Sequence, residues 1–465
     1  MRLFNTLTGQ EEEFQPLQES HVRMYTCGPT VYNFAHIGNF RTFVSQDLLR
    51  RWLLYRGYRL THVMNITDVD DKTIANSQAA GMSLQNYTAQ YARAFFEDCR
   101  ALRIQKPEII APATEHMPEM VRLVEQLLEK KLAYRQEGSV YFRISSFPGY
   151  GKLSRLDPAQ LQIGHSVESD EYSKDDPRDF VLWKAAKPQE PVWKTSIGEG
   201  RPGWHLECSA MSMKYLGESF DIHAGGVDLI FPHHENEIAQ SEGATGKPFV
   251  KYWIHTEHLL VNGEKMSKSK GNYYTLRDLL NQGDDPLAIR FLLLSTHYRK
   301  QLNFTRDGIR HASSALETLT NFLLAVRTCR AAPADNLRVS EILETAWKEF
   351  ESSMDDNLNV SAALAAIFGA RYQLNGIVES EGLSEADRKR IGDHFVRFNS
   401  VLDVLSLEVE QIADHEVERL IEERAQARKR RDFERADKIR DQLLQRGIAL
   451  EDTRNGVRWK RSGAS

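Results

Sequence analysis

Two short segments, far apart in the chain, carry side chains suited to phosphate chemistry. In the first, His36, Gly38 and Asn39 lie where a predicted loop leads into a predicted helix. The start of a helix presents free N–H groups to an anion, and Gly38 would let a nucleotide approach the backbone closely. His36 and Asn39 can both donate hydrogen bonds to phosphate oxygens. A capped helix with a surface histidine is the more frequent explanation when these residues are taken alone.

The second segment is Lys-Met-Ser-Lys-Ser at residues 265–269, just after the Asn-Gly turn of a predicted hairpin. Lys265 and Lys268, with the hydroxyls of Ser267 and Ser269, could clamp a polyphosphate. They would neutralise the charge that develops on a leaving pyrophosphate, which is electrostatic catalysis rather than proton transfer. A solvated basic loop is the alternative for this segment alone.

A third set of residues could hold a metal ion. His233 and Glu237 are four residues apart and would share one face of a helix, whereas Cys27 and Cys208 are distant in the chain. Thiolates, an imidazole and a carboxylate are ligands that zinc accepts. The spacing is weak evidence because no two cysteines are close. On spacing alone, buried structural cysteines remain the favoured alternative.

The elements that would position these residues follow an α/β pattern. Strands are predicted over residues 22–27 and 60–66, with a helix between them over 39–56. This βαβ unit predicts a parallel sheet, and further strands are predicted over 220–223 and 252–255. Ligands bind at the carboxyl ends of such strands. The loop that contains His36 would lie at that edge.

The rest of the chain divides into an insertion and a helical part. Residues of about 110–200, with a loop-rich run at 166–191, are interpreted as an insertion into the sheet domain. From residue 286 onward, periodic apolar residues predict a helical bundle. Its helices are predicted over 287–296, 309–330, 338–350, 360–378 and 389–407. One helix over about 416–446, followed by Gly447, residues 448–452 and a short end at 456–459, completes the chain.

Composition excludes several classes of protein. The chain has 465 residues, of which 41% are hydrophobic and 27% are charged, so it can build several cores. No apolar run approaches the ~18 residues of a membrane span, and the N-terminus lacks the apolar stretch of a secretory signal. Four cysteines in this length exclude a disulfide scaffold and favour a reducing compartment. These observations predict a cytoplasmic protein without a membrane partner.

The C-terminal tail differs in charge from the rest. Residues 416–465 contain 14 Lys and Arg against 10 Asp and Glu, although the whole chain has a net charge of −5. A basic cluster at 428–431 is followed by aromatic residues, and unpaired RNA bases are bound by aromatic stacking while basic residues hold phosphates. A salt-bridged helix with a packed Phe and Trp is the alternative. The candidate RNA contacts are Arg428, Phe433, Asp437, Asp452 and Trp459.

Taken together, these segments resemble one family. The His-Ile-Gly-Asn and Lys-Met-Ser-Lys-Ser pair resembles the paired signature of class I aminoacyl-tRNA synthetases. The stretches at 24–32 and 223–237 closely resemble the bacterial cysteinyl-tRNA synthetases, and the resemblance extends over essentially the whole chain. Asn39 stands where many class I members have a second histidine, and this family commonly has Asn there.

The resemblance implies a fold and an activity. It implies a Rossmann-like parallel-sheet catalytic domain with an insertion, then a helical bundle and a small anticodon-binding domain. The reaction would be the ATP-dependent activation of L-cysteine and its transfer to the 3′ end of tRNA(Cys), with Mg²⁺ accompanying ATP. We expect a monomer. The expected boundaries are 1–110 with 200–285 for the catalytic domain, 111–199 for the insertion, 286–308 for a stem-contact region, 309–410 for the bundle and 411–465 for the anticodon-binding domain.

The resemblance also implies one zinc ion per chain, with Cys27, Cys208, His233 and Glu237 as its ligands. A zinc ion that accepts the substrate thiolate would select cysteine over serine, because a hydroxyl is a poor soft ligand and stays protonated. A pocket that selects by size and weak hydrogen bonds discriminates only ~10–200-fold. The insertion is too short for the large editing domain that some relatives of this family carry. An enzyme that selects its substrate by metal–sulfur bonding would need none.

Further residues are candidates for the substrate pocket. Trp204, Gly28 and His223 are predicted to contact cysteine, and Asp228 is a candidate for the ribose or the α-amino group. Gly225 and Gly226 are predicted to line the nucleotide site. His205, His223 and His234 could orient the metal ligands, contact the adenylate or pack structurally. Cys99 and Cys329 lie in helical patterns and are expected to be structural.

Two other functions are compatible with parts of the pattern. An enzyme of the same descent that passes cysteine to a sugar amine, as in mycothiol synthesis, would keep the motifs up to Ser269 but lack the tail. A non-catalytic zinc- and RNA-binding relative should have lost signature lysines or phosphate-loop residues. The tail and both signature lysines are present.

Overall fold

The computed structural model describes residues 1–156, 174–406, 410–430, 432–445, 448–453 and 456–461. The chain forms two compact units. The first consists of Met1–Arg277, Leu292–Arg306 and Lys348–Ala366, and the second of Asp278–Phe291, Asp307–Trp347 and Ile367–Ser465. None of the described helices is long and apolar enough to cross a membrane.

Helices and strands alternate in the first part of the chain, and helices dominate the second. The strands are β1 (Arg2–Asn5), β2 (Gln10–Glu13), β3 (His21–Thr26), β4 (Arg59–Ile66), β5 (Ile109–Pro112), β6 (Ala133–Gln136), β7 (Ser139–Phe142), β8 (Phe180–Ala185), β9 (Trp193–Thr195), β10 (Gly198–Pro202), β11 (Phe220–Gly226), β12 (Val250–Thr256), β13 (Leu259–Val261), β14 (Glu264–Lys265), β15 (Leu302–Phe304), β16 (Ile448–Thr453) and β17 (Gly456–Arg461). The helices are α1 (Ile37–Tyr55), α2 (Asp71–Ala79), α3 (Leu84–Ala101), α4 (Met117–Glu129), α5 (Trp204–Leu216), α6 (Glu235–Thr245), α7 (Leu276–Asn281), α8 (Pro286–Ser295), α9 (Arg306–Thr328), α10 (Leu337–Asp355), α11 (Val360–Ser380), α12 (Glu385–Leu402), α13 (Glu410–Lys429) and α14 (Phe433–Gln445).

A parallel sheet organises the first unit. Its strand order is β12-β11-β3-β4-β5, and every neighbouring pair is parallel. The chain moves outward from β3 to β5 on one side and later returns to place β11 on the other side of β3. The order therefore reverses between β3 and β11, which is where ligands bind on open parallel sheets. This confirms the predicted βαβ unit and parallel-sheet fold class.

The region predicted as an insertion carries a sheet of its own. Strands β6, β7, β8, β10 and β9 pair antiparallel in that order. The run at 166–191 that was expected to be loop-rich contains β8, while residues 157–173 lie outside the described part. Apolar side chains account for this strand, since the rings of Phe142 and Phe180 stack with centroids 5.0 Å apart.

The turn before the Lys-Met-Ser-Lys-Ser segment is the predicted hairpin. Strands β13 and β14 pair antiparallel with Val261 opposite Glu264. The two residues between them, Asn262 and Gly263, have φ of 53° and 79°. Positive φ at both central positions is what a tight two-residue turn needs, and Asn-Gly tolerates it best.

The predicted last helix is two helices in the structure. Helix α13 ends at Lys429 and α14 begins at Phe433. Asp432 lies between them, and its carboxylate accepts the backbone N–H of Arg435 at 3.1 Å, as a residue that starts a helix does. The basic cluster and Phe433 are therefore not on one helix, which corrects the prediction.

Candidate active site and metal centre

The loop after β3 is bonded to the carboxyl end of β4. The N–H of Gly28 donates to Asn65 Oδ1 at 2.8 Å, that of Val31 to the Thr67 carbonyl at 3.1 Å, and that of Thr67 to the Pro29 carbonyl at 3.2 Å. A Cβ at position 28 would collide with the carbonyl of Asn65, so glycine is required there by close packing. This attachment fixes the loop where the strand order reverses.

A cavity of about 230 Å³ opens beside this loop. Many of the predicted ATP, substrate and metal residues line it together. They are Cys27, Gly28, His36, Asn39, Trp204, Gly225, Gly226 and Asp228. The cavity therefore lies at the carboxyl edge of the parallel sheet, where the sequence predicted a ligand site.

His36 and Asn39 begin helix α1 with reciprocal hydrogen bonds. The N–H of Asn39 donates to His36 Nδ1, and the N–H of His36 donates to Asn39 Oδ1, both at 3.1 Å. The capped-helix interpretation is thus correct, and it does not exclude the phosphate interpretation. Both side chains line the cavity while holding the helix start in place.

The two phosphate motifs meet in the folded chain. The N–H of Ile37 donates to the Tyr274 carbonyl at 2.9 Å. A Cβ on Gly38 would lie 3.3 Å from Cε of Met266, so the Lys-Met-Ser-Lys-Ser segment approaches the first signature at a glycine. Segments more than two hundred residues apart in the sequence therefore border the same site.

Polar contacts within the second signature shape it as a loop. The hydroxyls of Ser267 and Ser269 are 2.8 Å apart, and the N–H of Ser267 donates to Asn272 Oδ1 at 2.8 Å. Lys265 is exposed, and the side chain of Lys268 lies outside the described side chains. The roles of these four predicted residues on a leaving pyrophosphate stay predictions.

The predicted metal ligands converge in one buried cluster. Donor atoms of Cys27, Cys208, His233 and Glu237 all lie within 4.8 Å of one another. The two sulfurs are 3.9 Å apart, Cys27 Sγ is 3.9 Å from Glu237 Oε1, and His233 Nε2 is 3.0 Å from the same oxygen. Each residue comes from a different part of the sheet edge: the end of β3, helix α5, the turn before α6, and α6.

These separations fit a tetrahedral zinc ion. Ligand atoms at ~2.0–2.3 Å from zinc would stand roughly 3.3–3.8 Å apart. Of the six separations among the four donor atoms, the three given above match this within half an ångström, and all six are within 4.8 Å. A second overlapping set contains Cys27, His223, His234 and Glu237. The set with both thiols is the better zinc site because thiolates are the stronger ligands.

Two of the four predicted ligands, Cys208 and Glu237, favour the ionised forms that a metal needs, whereas burial raises the pKa of the Cys27 thiol. Burial would raise the pKa of the Cys208 thiol, but the hydrogen bond from Cys27 and the nearby His233 lower it to about 6. Burial would also raise the pKa of Glu237, yet His223 and His233 lower it to about 2. The pKa of His233 rises to about 10 despite its burial, because Cys208 and Glu237 face it. A divalent cation would replace that proton and the charge it carries.

Three further histidines contact the predicted metal ligands. His223 Nε2 is 2.9 Å from Glu237 Oε2, and the Nδ1 atoms of His205 and His233 are 2.9 Å apart. His234 Nε2 is 3.4 Å from Cys27 Sγ. The sequence left three roles open for these histidines: orienting the metal ligands, contacting the adenylate, or structural packing. Their contacts with the predicted ligands support the first role. His223 is not among the described residues that line the cavity, and its predicted contact with cysteine stays a prediction.

Trp204 and His255 complete the surroundings of the cluster. The indole of Trp204 stacks on the His233 ring with centroids 4.2 Å apart, while its exposed part lines the cavity. His255 Nε2 is 2.8 Å from His234 Nδ1. The sequence analysis did not single out His255, although its place at the end of a strand predicted beside the site was a signal.

The predicted RNA contacts in the tail have different surroundings. Phe433 is 60% exposed, and Arg428 and Asp437 are also exposed. Trp459 is only 8% exposed and packs in a small core with Val417, Leu420, Ile439, Leu443 and Ile448. The packed-tryptophan alternative is therefore the one that the structure supports. The side chain of Asp452 lies outside the described side chains.

Comparison with known proteins decides the family. Residues 13–314 match the family model of the class I (C) tRNA synthetase catalytic domain, and residues 413–459 match that of the cysteinyl-tRNA ligase anticodon binding domain. The chain is 53% identical to the cysteine–tRNA ligase of Solibacter usitatus, with 99% of each chain covered. The chain belongs to the cysteinyl-tRNA synthetase family.

Other relatives of this synthetase family agree in length and in fold. The cysteine–tRNA ligase of Koribacter versatilis is 48% identical, again with 99% of each chain covered. The solved structure of Mycobacterium tuberculosis methionyl-tRNA synthetase in complex with methionyl-adenylate superposes with a TM-score of 0.55 at 15% identity. That match covers 83% of this chain and 88% of the other, and it shows the shared class I fold.

Proposed function

We propose that the protein is a cysteine–tRNA ligase. It joins the carboxylate of L-cysteine to the α-phosphate of ATP and releases pyrophosphate. A hydroxyl of the 3′-terminal ribose of tRNA(Cys) then takes the cysteinyl group, and AMP leaves. The observation that carries this proposal is the buried cluster of two cysteines, a histidine and a glutamate. It opens onto the cavity that His36 and Asn39 line.

The first step depends on positioning and on charge stabilisation. An oxygen of the cysteine carboxylate attacks the α-phosphorus, and the bond to the β-phosphate oxygen breaks. His36 and Asn39, at the N-terminus of α1, hold phosphate oxygens, and Gly38 admits them to the backbone. Lys265 and Lys268, with Ser267 and Ser269, neutralise the departing pyrophosphate. Mg²⁺ accompanies ATP as a substrate complex.

The residues around the cavity hold the other parts of the substrates. Gly225, Gly226 and Asp228 lie at the end of β11 and bind the nucleotide, with Asp228 on the ribose or the α-amino group. Trp204 and Gly28 form walls of the cysteine pocket. The histidines behind the cluster, His223 among them, keep the ligands oriented.

The buried cluster provides selectivity for a thiol. Cys27, Cys208, His233 and Glu237 would hold one zinc ion, which when bound supplies a soft Lewis acid that favours a thiolate over a hydroxyl. The low pKa of Cys208 and the ionised Glu237 keep this donor set ready for a dication. The pocket thereby excludes serine without a separate editing domain.

The C-terminal region recognises the tRNA. The match to an anticodon-binding family model over residues 413–459 and the exposed Arg428, Phe433 and Asp437 support this assignment. We propose the boundaries 286–308 for the stem-contact region, 309–410 for the bundle and 411–465 for the anticodon-binding domain. The catalytic domain would comprise 1–110 and 200–285, interrupted by 111–199. A monomer in the cytoplasm completes the proposal.

The decisive experiment measures pyrophosphate exchange into ATP with each of the twenty amino acids, followed by charging of tRNA(Cys). We expect exchange with cysteine alone and formation of cysteinyl-tRNA. Strong exchange with serine would contradict the assignment. Exchange with cysteine but transfer only to a sugar amine would identify the mycothiol-type relative instead.

A further inference from the structure

A continuous chain of buried hydrogen bonds joins the two segments that carry the cysteine ligands. The N–H of Gly28, the residue after Cys27, donates to Asn65 Oδ1 at 2.8 Å. Asn65 Nδ2 donates to the hydroxyl of Thr67 at 3.1 Å, and that hydroxyl donates to Glu207 Oε2 at 2.9 Å. Glu207 is the residue before Cys208.

This chain is buried from Asn65 to Glu207, and only its Gly28 end is part-buried. Asn65, Thr67 and Glu207 are each at most 1% exposed. In a region without water, each of these polar groups depends on its protein partner, and loss of one partner leaves the other unsatisfied. The Thr67 hydroxyl is the central link because it accepts from Asn65 and donates to Glu207 at the same time. The other carboxyl oxygen of Glu207, Oε1, has no hydrogen-bond partner among the described residues.

The link connects elements that are otherwise separate in the sequence. Cys27 follows β3, while Cys208 lies in α5, 181 residues further on. Their sulfurs must stand a fixed distance apart for both to contact one ion, and the observed 3.9 Å is close to a tetrahedral edge. The Thr67 hydroxyl, which follows β4, contacts Glu207 directly and is joined to the Cys27 segment through Asn65.

We infer that Thr67 and Glu207 are positioning residues, which hold the two cysteine-bearing segments at the sulfur separation that metal binding and thiol selection require. The inference rests on the proposed function, and neither residue is assigned a contact with substrate. Groups that orient metal ligands typically change metal affinity by ~10–100-fold when they are removed. Loss of the Thr67 hydroxyl should therefore weaken zinc binding and cysteine binding together while ATP binding persists.

The test compares Thr67→Val, which keeps the shape but removes the hydroxyl, with Thr67→Ser, which keeps the hydroxyl. The zinc dissociation constant is measured by competition with a chromophoric chelator, and the cobalt-substituted protein is examined for its sulfur-to-cobalt absorption band. We expect Thr67→Val to bind zinc ~10–100-fold more weakly and to alter that band. Its KM for cysteine in pyrophosphate exchange should rise while its KM for ATP stays the same. Thr67→Ser should restore all of these properties.

Two further variants separate positioning from general stability. Thr88→Val removes another buried hydroxyl, one that donates within its own helix to the Leu84 carbonyl at 2.9 Å, and should leave zinc affinity and both KM values unchanged. Glu207→Leu removes the acceptor of the Thr67 hydroxyl, which a glutamine would retain. Combined with Thr67→Val, it should cost no more zinc affinity than the more damaging of the two single variants, because both interrupt one link.

Native zinc affinity and native KM values in Thr67→Val would overturn the inference, as would a Thr67→Ser variant that behaves like Thr67→Val. If Thr67→Val does not fold, Glu207→Leu is measured in its place, and an unchanged zinc dissociation constant with an unchanged cobalt band would then overturn the inference. If the native chain itself lacks cysteine-dependent exchange, the proposed function fails. The zinc and cobalt measurements would still decide whether Thr67 positions the cysteine pair.

Discussion

His36 and Asn39 each accept the backbone N–H of the other at the start of helix α1, both at 3.1 Å. Because the N–H of Asn39 occupies Nδ1, a neutral His36 carries its proton on Nε2 and is a donor there. The same pair therefore fixes the helix start and presents a hydrogen-bond donor at the cavity. The two signature residues that are predicted to bind phosphate therefore also cap the helix.

This double role can be separated by substitution. Asn is a good N-cap residue, so His36→Asn should keep the helix start while removing the imidazole donor. We expect its rate of cysteine-dependent pyrophosphate exchange to fall by roughly 10²–10³-fold, as when one donor to developing charge is lost. Its thermal midpoint should stay close to the native value.

A cap in the same unit provides the matched control. Ser83 accepts the N–H of Asn86 at 3.3 Å at the start of α3. Ser83→Ala should cost about 1 kcal/mol of stability and leave the exchange rate as it is. Equal rates of pyrophosphate exchange in His36→Asn and the native protein would show that His36 does not bind phosphate during the reaction.

The cysteine cluster predicts a metal content that elemental analysis can measure. Native protein purified without chelator should contain one zinc ion per chain, and Cys208→Ser should contain almost none, because a serine hydroxyl stays protonated and is a poor ligand. Cysteine binding should be lost in Cys208→Ser before the secondary structure is. Cys329 is a half-buried cysteine in the second unit, so Cys329→Ser should retain the metal. Zinc-free native protein, or full zinc in Cys208→Ser, would refute the site.

Much of the sheet domain was predictable because its patterns are local. The strand predicted at 60–66 is found at Arg59–Ile66, and the helix predicted at 39–56 is found at Ile37–Tyr55. Apolar periodicity and the glycine at position 57 determine these ends within about two residues. The hairpin at Asn262-Gly263 was predictable for the same reason, since its turn is encoded by two neighbouring residues.

Features that depend on distant contacts were not accessible in this way. The ligands Cys27 and Cys208 are brought together only by the sheet topology, so their spacing carried little information without the family resemblance. The burial of Trp459 depends on the pairing of β16 with β17, which places it opposite Leu450. The break at Asp432 lies in a strongly charged segment, where a polar residue that ends one helix and starts the next is hard to distinguish from its neighbours.

Buried His62 predicts a pH dependence of stability. Its burial lowers its pKa to about 3 in the folded protein, from 6.5 in the unfolded chain, and its Nε2 is 2.8 Å from the Thr26 hydroxyl. On acidification the unfolded chain binds this proton first, so the native protein loses stability as the pH falls below about 6.5. His62→Gln cannot bind that proton.

The difference in the free energy of unfolding between native protein and His62→Gln should therefore shrink by about 1 kcal/mol between pH 6.5 and pH 5.5. Urea unfolding curves followed by tryptophan fluorescence at the two pH values measure this difference. A difference that does not change with pH would mean that folded and unfolded His62 bind the proton equally well.

The aromatic residues of the tail should respond differently to substitution. Phe433 is exposed, so Phe433→Ala should leave thermal stability unchanged and weaken tRNA charging by the ~1–3 kcal/mol that stacking on one base contributes. Trp459 lies in the small C-terminal core, and Trp459→Ala should destabilise that core by about 3–5 kcal/mol. Thermal unfolding and the KM for tRNA in charging assays distinguish the two effects. Native charging by Phe433→Ala would exclude it as a stacking residue.

Truncation tests the division of labour between the two ends of the chain. The phosphate and metal residues all precede residue 270, whereas the anticodon-binding match begins at residue 413. A chain that ends after Glu410 should therefore keep cysteine-dependent pyrophosphate exchange nearly intact and lose most of its charging of tRNA(Cys). RNA contacts through phosphates weaken as counterions are added, so charging by the full chain should fall more steeply with salt than charging by the truncated chain. Equal charging by the two proteins, with equal salt dependence, would show that the tail does not recognise the tRNA.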